Sequence, residues 1–98
     1  MLPYNIAELR SIIAPNARRY GVQRVILFGS YARGEATAQS DVDLLIFGGS
    51  GFRATQIFAL SEDLRAALNT KVDVYEIREL DPLSAFHSTV MQEGLEIA

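Results

Sequence analysis

The chain has no cysteine, which rules out a disulfide framework and a thiolate metal site and makes it compatible with a reducing compartment. Its one histidine, His87, has no ligand pattern near it and reads as structural or exposed. No apolar run approaches the roughly 20 residues of a membrane span, and the opening Met1-Leu2-Pro3-Tyr4-Asn5 lacks the basic and apolar regions of a signal peptide. A cytoplasmic protein is expected. Positive charge is not in excess either: the net charge is −3 with both signs scattered. There is thus no basic footprint for direct nucleic-acid binding, and any anionic ligand has to be held locally. Repeats and low-complexity segments are missing. The length, 98 residues, suits one domain over residues 1–98 with a single core, and leaves no room for a second, substrate-binding domain.

What the chain does contain is concentrated in Val25 to Phe47, VILFGSYARGEATAQSDVDLLIF. Val25 to Phe28 is a short β-branched and aromatic run, and Gly29-Ser30 follows where a chain leaves a sheet. Ten residues further on, Asp41 and Asp43 open the run Val42 to Phe47, which reads as a second, deeply buried strand. Side chains alternate along a strand, so both carboxylates leave one face. Asp73 joins them as a third candidate, because Lys71-Val72-Asp73-Val74-Tyr75-Glu76 alternates as a half-buried strand that can lie beside theirs with its carboxylate pointing the same way.

Gly-Ser, ten residues, Asp-x-Asp is a spacing that resembles the nucleotidyltransferase signature of the DNA polymerase beta superfamily. Gly29-Ser30-Tyr31-Ala32-Arg33-Gly34 and Ser40-Asp41-Val42-Asp43-Leu44 are similar to the minimal nucleotidyltransferases, the group that includes antitoxins paired with HEPN-domain toxins. The resemblance implies a small α/β fold, with a short mixed sheet and helices packed mainly on one face. It also implies transfer of a nucleoside monophosphate, AMP from ATP, to a hydroxyl acceptor on a HEPN-type partner protein. Asp41, Asp43 and Asp73 would be the catalytic and metal-holding residues, Asp73 also drawing the proton from the acceptor. Gly29, Ser30, Arg33 and Ser40 would bind the nucleotide.

Elementary chemistry agrees with these roles. Nucleotidyl transfer accumulates negative charge on attacking, equatorial and leaving oxygens, and two divalent cations about 3.5–4 Å apart can clamp both ends of such a displacement. Mg²⁺ takes oxygen ligands, one or two carboxylates plus phosphates and water. Two bare carboxylates about 4 Å apart repel by roughly 4 kcal/mol at a protein surface, and a cation turns that into attraction. Glycine at position 29 lets backbone approach an anion, the turn's N–H groups and the Ser30 hydroxyl can donate to phosphate oxygens, and the Arg33 fork matches them in shape.

Plainer duties stand beside these. Asp41 and Asp43 can face solvent at a strand entry, a reading the Gly-Ser spacing weighs against. Asp73 can be an exposed-face residue, Ser30 a helix N-cap, and Arg33 a partner of Glu35 on a solvated loop. Tyr31 and Tyr75 read as packing residues rather than base-stacking ones. Rival functions are a non-catalytic, NTP-binding or steric inhibitor of a partner, and a plain dimerisation domain; a homo-oligomer is compatible with the chain.

Around the motif, Ile6, Leu9, Ile13, Ala17 and Tyr20 keep helical spacing. Pro15 interrupts them, which predicts two helical pieces, the second ended by Gly21. Tyr31 to Arg33 suits a single helical turn and Gly34 to Ser40 a polar loop. Gly48 to Gly51 reads as a flexible connection. From Phe52 to Asn69 a second core helix carries Ile57, Leu60, Leu64, Ala67 and Leu68 on one face. The third strand has Val72 and Val74 as its apolar side. Asp81-Pro82 predicts a helix start with Asp81 as N-cap, continued by Leu83, Phe86 and Val90 to Gly94. Leu95 to Ala98 is left as a short apolar tail.

Overall fold

A computed structural model describes residues 4–98. The elements run α1 (Ile6–Arg19), β1 (Arg24–Phe28), α2 (Ser30–Arg33), β2 (Val42–Phe47), α3 (Ala54–Leu68), β3 (Val72–Glu76), a 3₁₀ turn (Ile77–Glu79), α4 (Ala85–Glu93) and β4 (Leu95–Glu96). The four strands form one sheet in the order β3-β2-β1-β4. β1 is antiparallel to both β2 and β4, while β2 and β3 are parallel, so the sheet is mixed, as expected. Alternation sends Val25, Leu27, Val42, Leu44, Ile46 and Val72 to one face, where they meet Leu9, Ile13 and Ala17 of α1 and Leu60, Leu64 and Leu68 of α3. The long helices therefore share a face. On the other, a smaller cluster of Ile26, Phe28 and Leu45 is covered by Val90 of α4. The carboxylates of the motif lie on this thinly covered side.

Pro15 does not divide the first helix, which is continuous from Ile6 to Arg19. Its N-terminus is locked by a capping box, with the Asn5 side chain accepting from the Glu8 N–H and Glu8 accepting from the Asn5 N–H. Pro15 and Ser11 are both exposed, so water can take the carbonyl that the missing N–H leaves free. Tyr20 caps the helix and Gly21 follows at φ 75°.

The last helix begins later than Asp81-Pro82 predicts. Asp81 accepts from the Leu83 N–H at 2.9 Å and makes a turn, while the Ser84 hydroxyl oxygen accepts from the His87 N–H at 3.1 Å and is the true N-cap of α4. Two cap-forming residues stand in tandem, and the aspartate spends its side chain on the nearer N–H. Leu83 consequently lies outside the helix and is exposed, and Ala67 of α3 is exposed too. The tail is not loose. β4 pairs Glu96 with Ile26 and Leu95 with Leu27, and Ile97 donates to the Val25 carbonyl at 2.9 Å and joins the main core.

Candidate active site

β2 carries Asp43 in the middle of the sheet. Its residue partners are Phe28 on β1 and, across the parallel pairing, Asp73 on β3. Directly paired residues in a ladder point to the same face, so two carboxylates are set side by side by register alone. Asp41 lies two residues earlier, at the entry to the strand. Its carboxylate meets the Lys71 ammonium at 3.7 Å. Burial above all, then the charges of Asp73 and Asp41, push the Asp43 carboxyl up to about 6, with Lys71 opposing. An aspartate so crowded by its own sign is a place where a divalent cation lowers the energy. Among the described residues no ready-made group of three or more His, Cys, Asp or Glu stands grouped as metal ligands; three anions meet only in part, and Asp41 leans on Lys71.

Gly29 follows the end of β1 and lies against Asp43. Its φ is 75° and ψ −154°, and a Cβ there would stand 2.3 Å from Asp43 Oδ2. Both the backbone conformation and the close approach require glycine. The next residues form the one-turn helix α2, which presents Ser30 at its start and ends at Gly34 in the left-handed region. Tyr31 is buried in the main core behind this turn, a packing residue as expected.

A cleft of about 560 Å³ opens beside Asp43, lined on one side by Gly29, Ser30, Ser40 and Asp41 and on the other by Phe86, Thr89 and Glu93 of α4. Five of the seven residues singled out from the sequence, Gly29, Ser30, Ser40, Asp41 and Asp43, meet on this wall. Arg33 lines the cleft as well, but is engaged: its Nε donates to Glu35 at 3.3 Å and its Nη1 to Glu93 at 3.2 Å. The pairing with Glu35 first, and with Glu93, pushes the guanidinium higher still. Ser40 has a structural duty, its hydroxyl oxygen accepting from the Thr37 N–H at 2.7 Å and closing the loop before Asp41. Asp73 lies across Asp43 from the cleft, beside an aromatic trio in which Phe28, Tyr75 and Phe86 stand 5.6–5.9 Å apart, centroid to centroid. Tyr75 is thus packed against rings while 38% exposed.

The sequence reading missed the α4 wall and Lys71. Nothing local in Phe86, Thr89 or Glu93 advertises a cleft, since only the chain's return across the second sheet face brings them there. Lys71, two residues before Asp73 and level with Asp41 once the parallel register is known, was legible only after that register.

A family model described as polymerase beta, nucleotidyltransferase matches residues 11–98. The chain belongs to this family. Among relatives of the nucleotidyltransferase, the protein adenylyltransferase MntA of Thermococcus cleftensis is 33% identical over 97 residues, covering 95% of this chain and 96% of the relative. A solved candidate minimal nucleotidyltransferase superposes with a TM-score of 0.80 at 32% identity, covering 94% of this chain and 95% of the other. The complex of tri-AMPylated Shewanella oneidensis HEPN toxin with MNT antitoxin matches with a TM-score of 0.73 at 20% identity, over 95% of this chain and 71% of the other, a likeness of fold alone. No helix among the described residues is long and apolar enough to cross a membrane.

Proposed function

We propose that the 98-residue domain is a Mg²⁺-dependent adenylyltransferase that moves AMP from ATP to a hydroxyl of a HEPN-type partner in the cytoplasm, as the antitoxin of a pair. The observation that carries the proposal is the setting of Asp43, crowded by Asp41 and Asp73, against a glycine on which any Cβ would collide with its carboxylate, at the wall of a cleft. Support for the donor and the partner comes from a relative named a protein adenylyltransferase and a fold neighbour described as an MNT antitoxin with an AMPylated HEPN toxin.

Asp41, Asp43 and Asp73 would supply the hard carboxylate oxygens that suit Mg²⁺, with Asp41 turning from Lys71 to do so, and the crowding of Asp43 fits a bound cation. Two such ions would neutralise phosphate charge and stabilise the attacking and leaving oxygens. The Gly29-Ser30 turn binds the triphosphate, its N–H groups and hydroxyl donating to phosphate oxygens. Arg33 adds a cation at the same wall, and Ser40 holds the loop that sets Asp41. Asp73, on the side away from the cleft, takes the proton of the acceptor hydroxyl. The acceptor oxygen bonds to the α-phosphorus, the α–β bridging bond breaks, and pyrophosphate leaves. The open face at Asp73 and the aromatic trio is where a partner can bring its hydroxyl. Such docking makes the attack effectively intramolecular, and effective molarities reach about 10⁵–10⁸ M in well-oriented cases.

The test mixes the domain, Mg²⁺ and α-labelled ATP with and without the product of the neighbouring gene, the expected HEPN-type partner, and follows label by gel and mass spectrometry. Label should appear on the partner far faster than on water, free nucleotide or the domain. An unlabelled but inhibited partner would make the domain a binding module instead, and rapid labelling of a small molecule or nucleic acid would overturn the protein acceptor.

A further inference from the structure

The Arg33–Glu93 ion pair joins two elements that are each fixed independently. Arg33 ends α2, anchored behind by buried Tyr31. Glu93 ends α4, where Val90 is buried against Ile26, Phe28 and Leu45. Gly94 lies so close to β1 that a Cβ on it would stand 2.3 Å from Ile26 Cγ2. Both partners line the same cleft, and the pair spans its two walls. Glu35, the other partner of Arg33, takes Nε and is not a cleft residue, whereas Glu93 takes Nη1. A phosphate needs that fork to bind in two-pronged fashion.

We propose that Glu93 sets nucleotide affinity by holding Arg33 across the cleft, so that a triphosphate has to displace the carboxylate to gain the guanidinium. This rests on the reading of the cleft as the triphosphate site. Glu35 keeps its hold on Nε throughout. After transfer, Glu93 competes again for Nη1, which weakens the grip of pyrophosphate on the same cation and favours its departure. The pair is partly exposed, the side chains being 43% and 28% accessible, so the competition is of a size that tunes binding rather than abolishing it.

Calorimetric titration of the domain with α,β-methylene-ATP and Mg²⁺, on the wild type, Glu93→Gln, Arg33→Gln and the double variant, tests this. Thermal melts of the same four proteins check that each is folded. Glu93→Gln should bind about two- to fivefold more tightly, the scale of an exposed ion pair, and Arg33→Gln more weakly than the wild type. In the Arg33→Gln background the Glu93→Gln change should have no effect, because the competition has lost its object. Unchanged or weaker binding by Glu93→Gln overturns the proposal. So does an equal gain in the Arg33→Gln background, which would mark general repulsion between Glu93 and phosphate. A wild type that binds no Mg²⁺-triphosphate at all would instead remove the donor-site reading beneath it.

Discussion

Replacing Asp43 by Asn should make the metal-free domain more stable while destroying its catalysis. The carboxyl is raised from 3.8 to about 6 by burial and by its acidic neighbours. A raised acid is stabilising, relative to the unfolded chain, while it stays protonated; that contribution is whole below pH 3.8 and is lost as pH climbs through about 6. Each pH unit of that interval is worth about 1.4 kcal/mol, or about 3 kcal/mol in all. Asp43 is only half-buried, and water screens such interactions, so about 1 kcal/mol is a fair expectation. For a domain of this size that is a rise of about 4–8 °C in melting temperature. Melts followed by circular dichroism in a chelator, at about pH 4 and pH 7.5, should show Asp43→Asn level with the wild type at the lower pH and above it at the higher one. A variant less stable at the higher pH, or a difference indifferent to pH, would refute the electrostatic argument.

Three further outcomes follow from the same geometry. Gly29→Ala should lose about 1–3 kcal/mol of stability in urea unfolding, because alanine at φ 75° is strained and its Cβ would meet Asp43 Oδ2, and its transfer rate should fall with it. Mg²⁺ together with ATP should raise the melting temperature by more than the sum of the two alone, since each ligand completes the other's site; additive shifts in calorimetry would count against it. Ser84→Ala should cost about 1 kcal/mol through loss of the α4 cap, and Asp81→Ala less, with chemical denaturation ranking the two.

The parts of the site that lie on single stretches were legible from residue order. Gly29-Ser30 sits at a strand end, Asp41 and Asp43 share a face because strands have period two, and the alternation around Asp73 marks a strand whose parallel pairing then aligns it with Asp43. The missed parts depend on where the chain goes afterwards. β4 is two residues long, too short to show alternation, and is a strand only because β1 offers an edge. α4 has just Val90 buried, so its residues carry no strong stripe, and neither its true cap nor its place over the acidic face is written locally. Pro15 misled because its cost depends on exposure, which spacing does not report. Arg33 and Glu93 stand 60 residues apart, and only the folded sheet brings them to one cleft.

The most direct test of the account is the initial rate at which label from α-labelled ATP reaches the proposed HEPN-type partner in Mg²⁺, compared between the wild type and Asp43→Asn. The substitution keeps the size of the side chain and removes the charge that the cation needs, so the rate should fall by orders of magnitude, about 10³-fold or more, in a protein that melts no lower than its parent. Transfer at the wild-type rate by Asp43→Asn would contradict the assignment of the metal site.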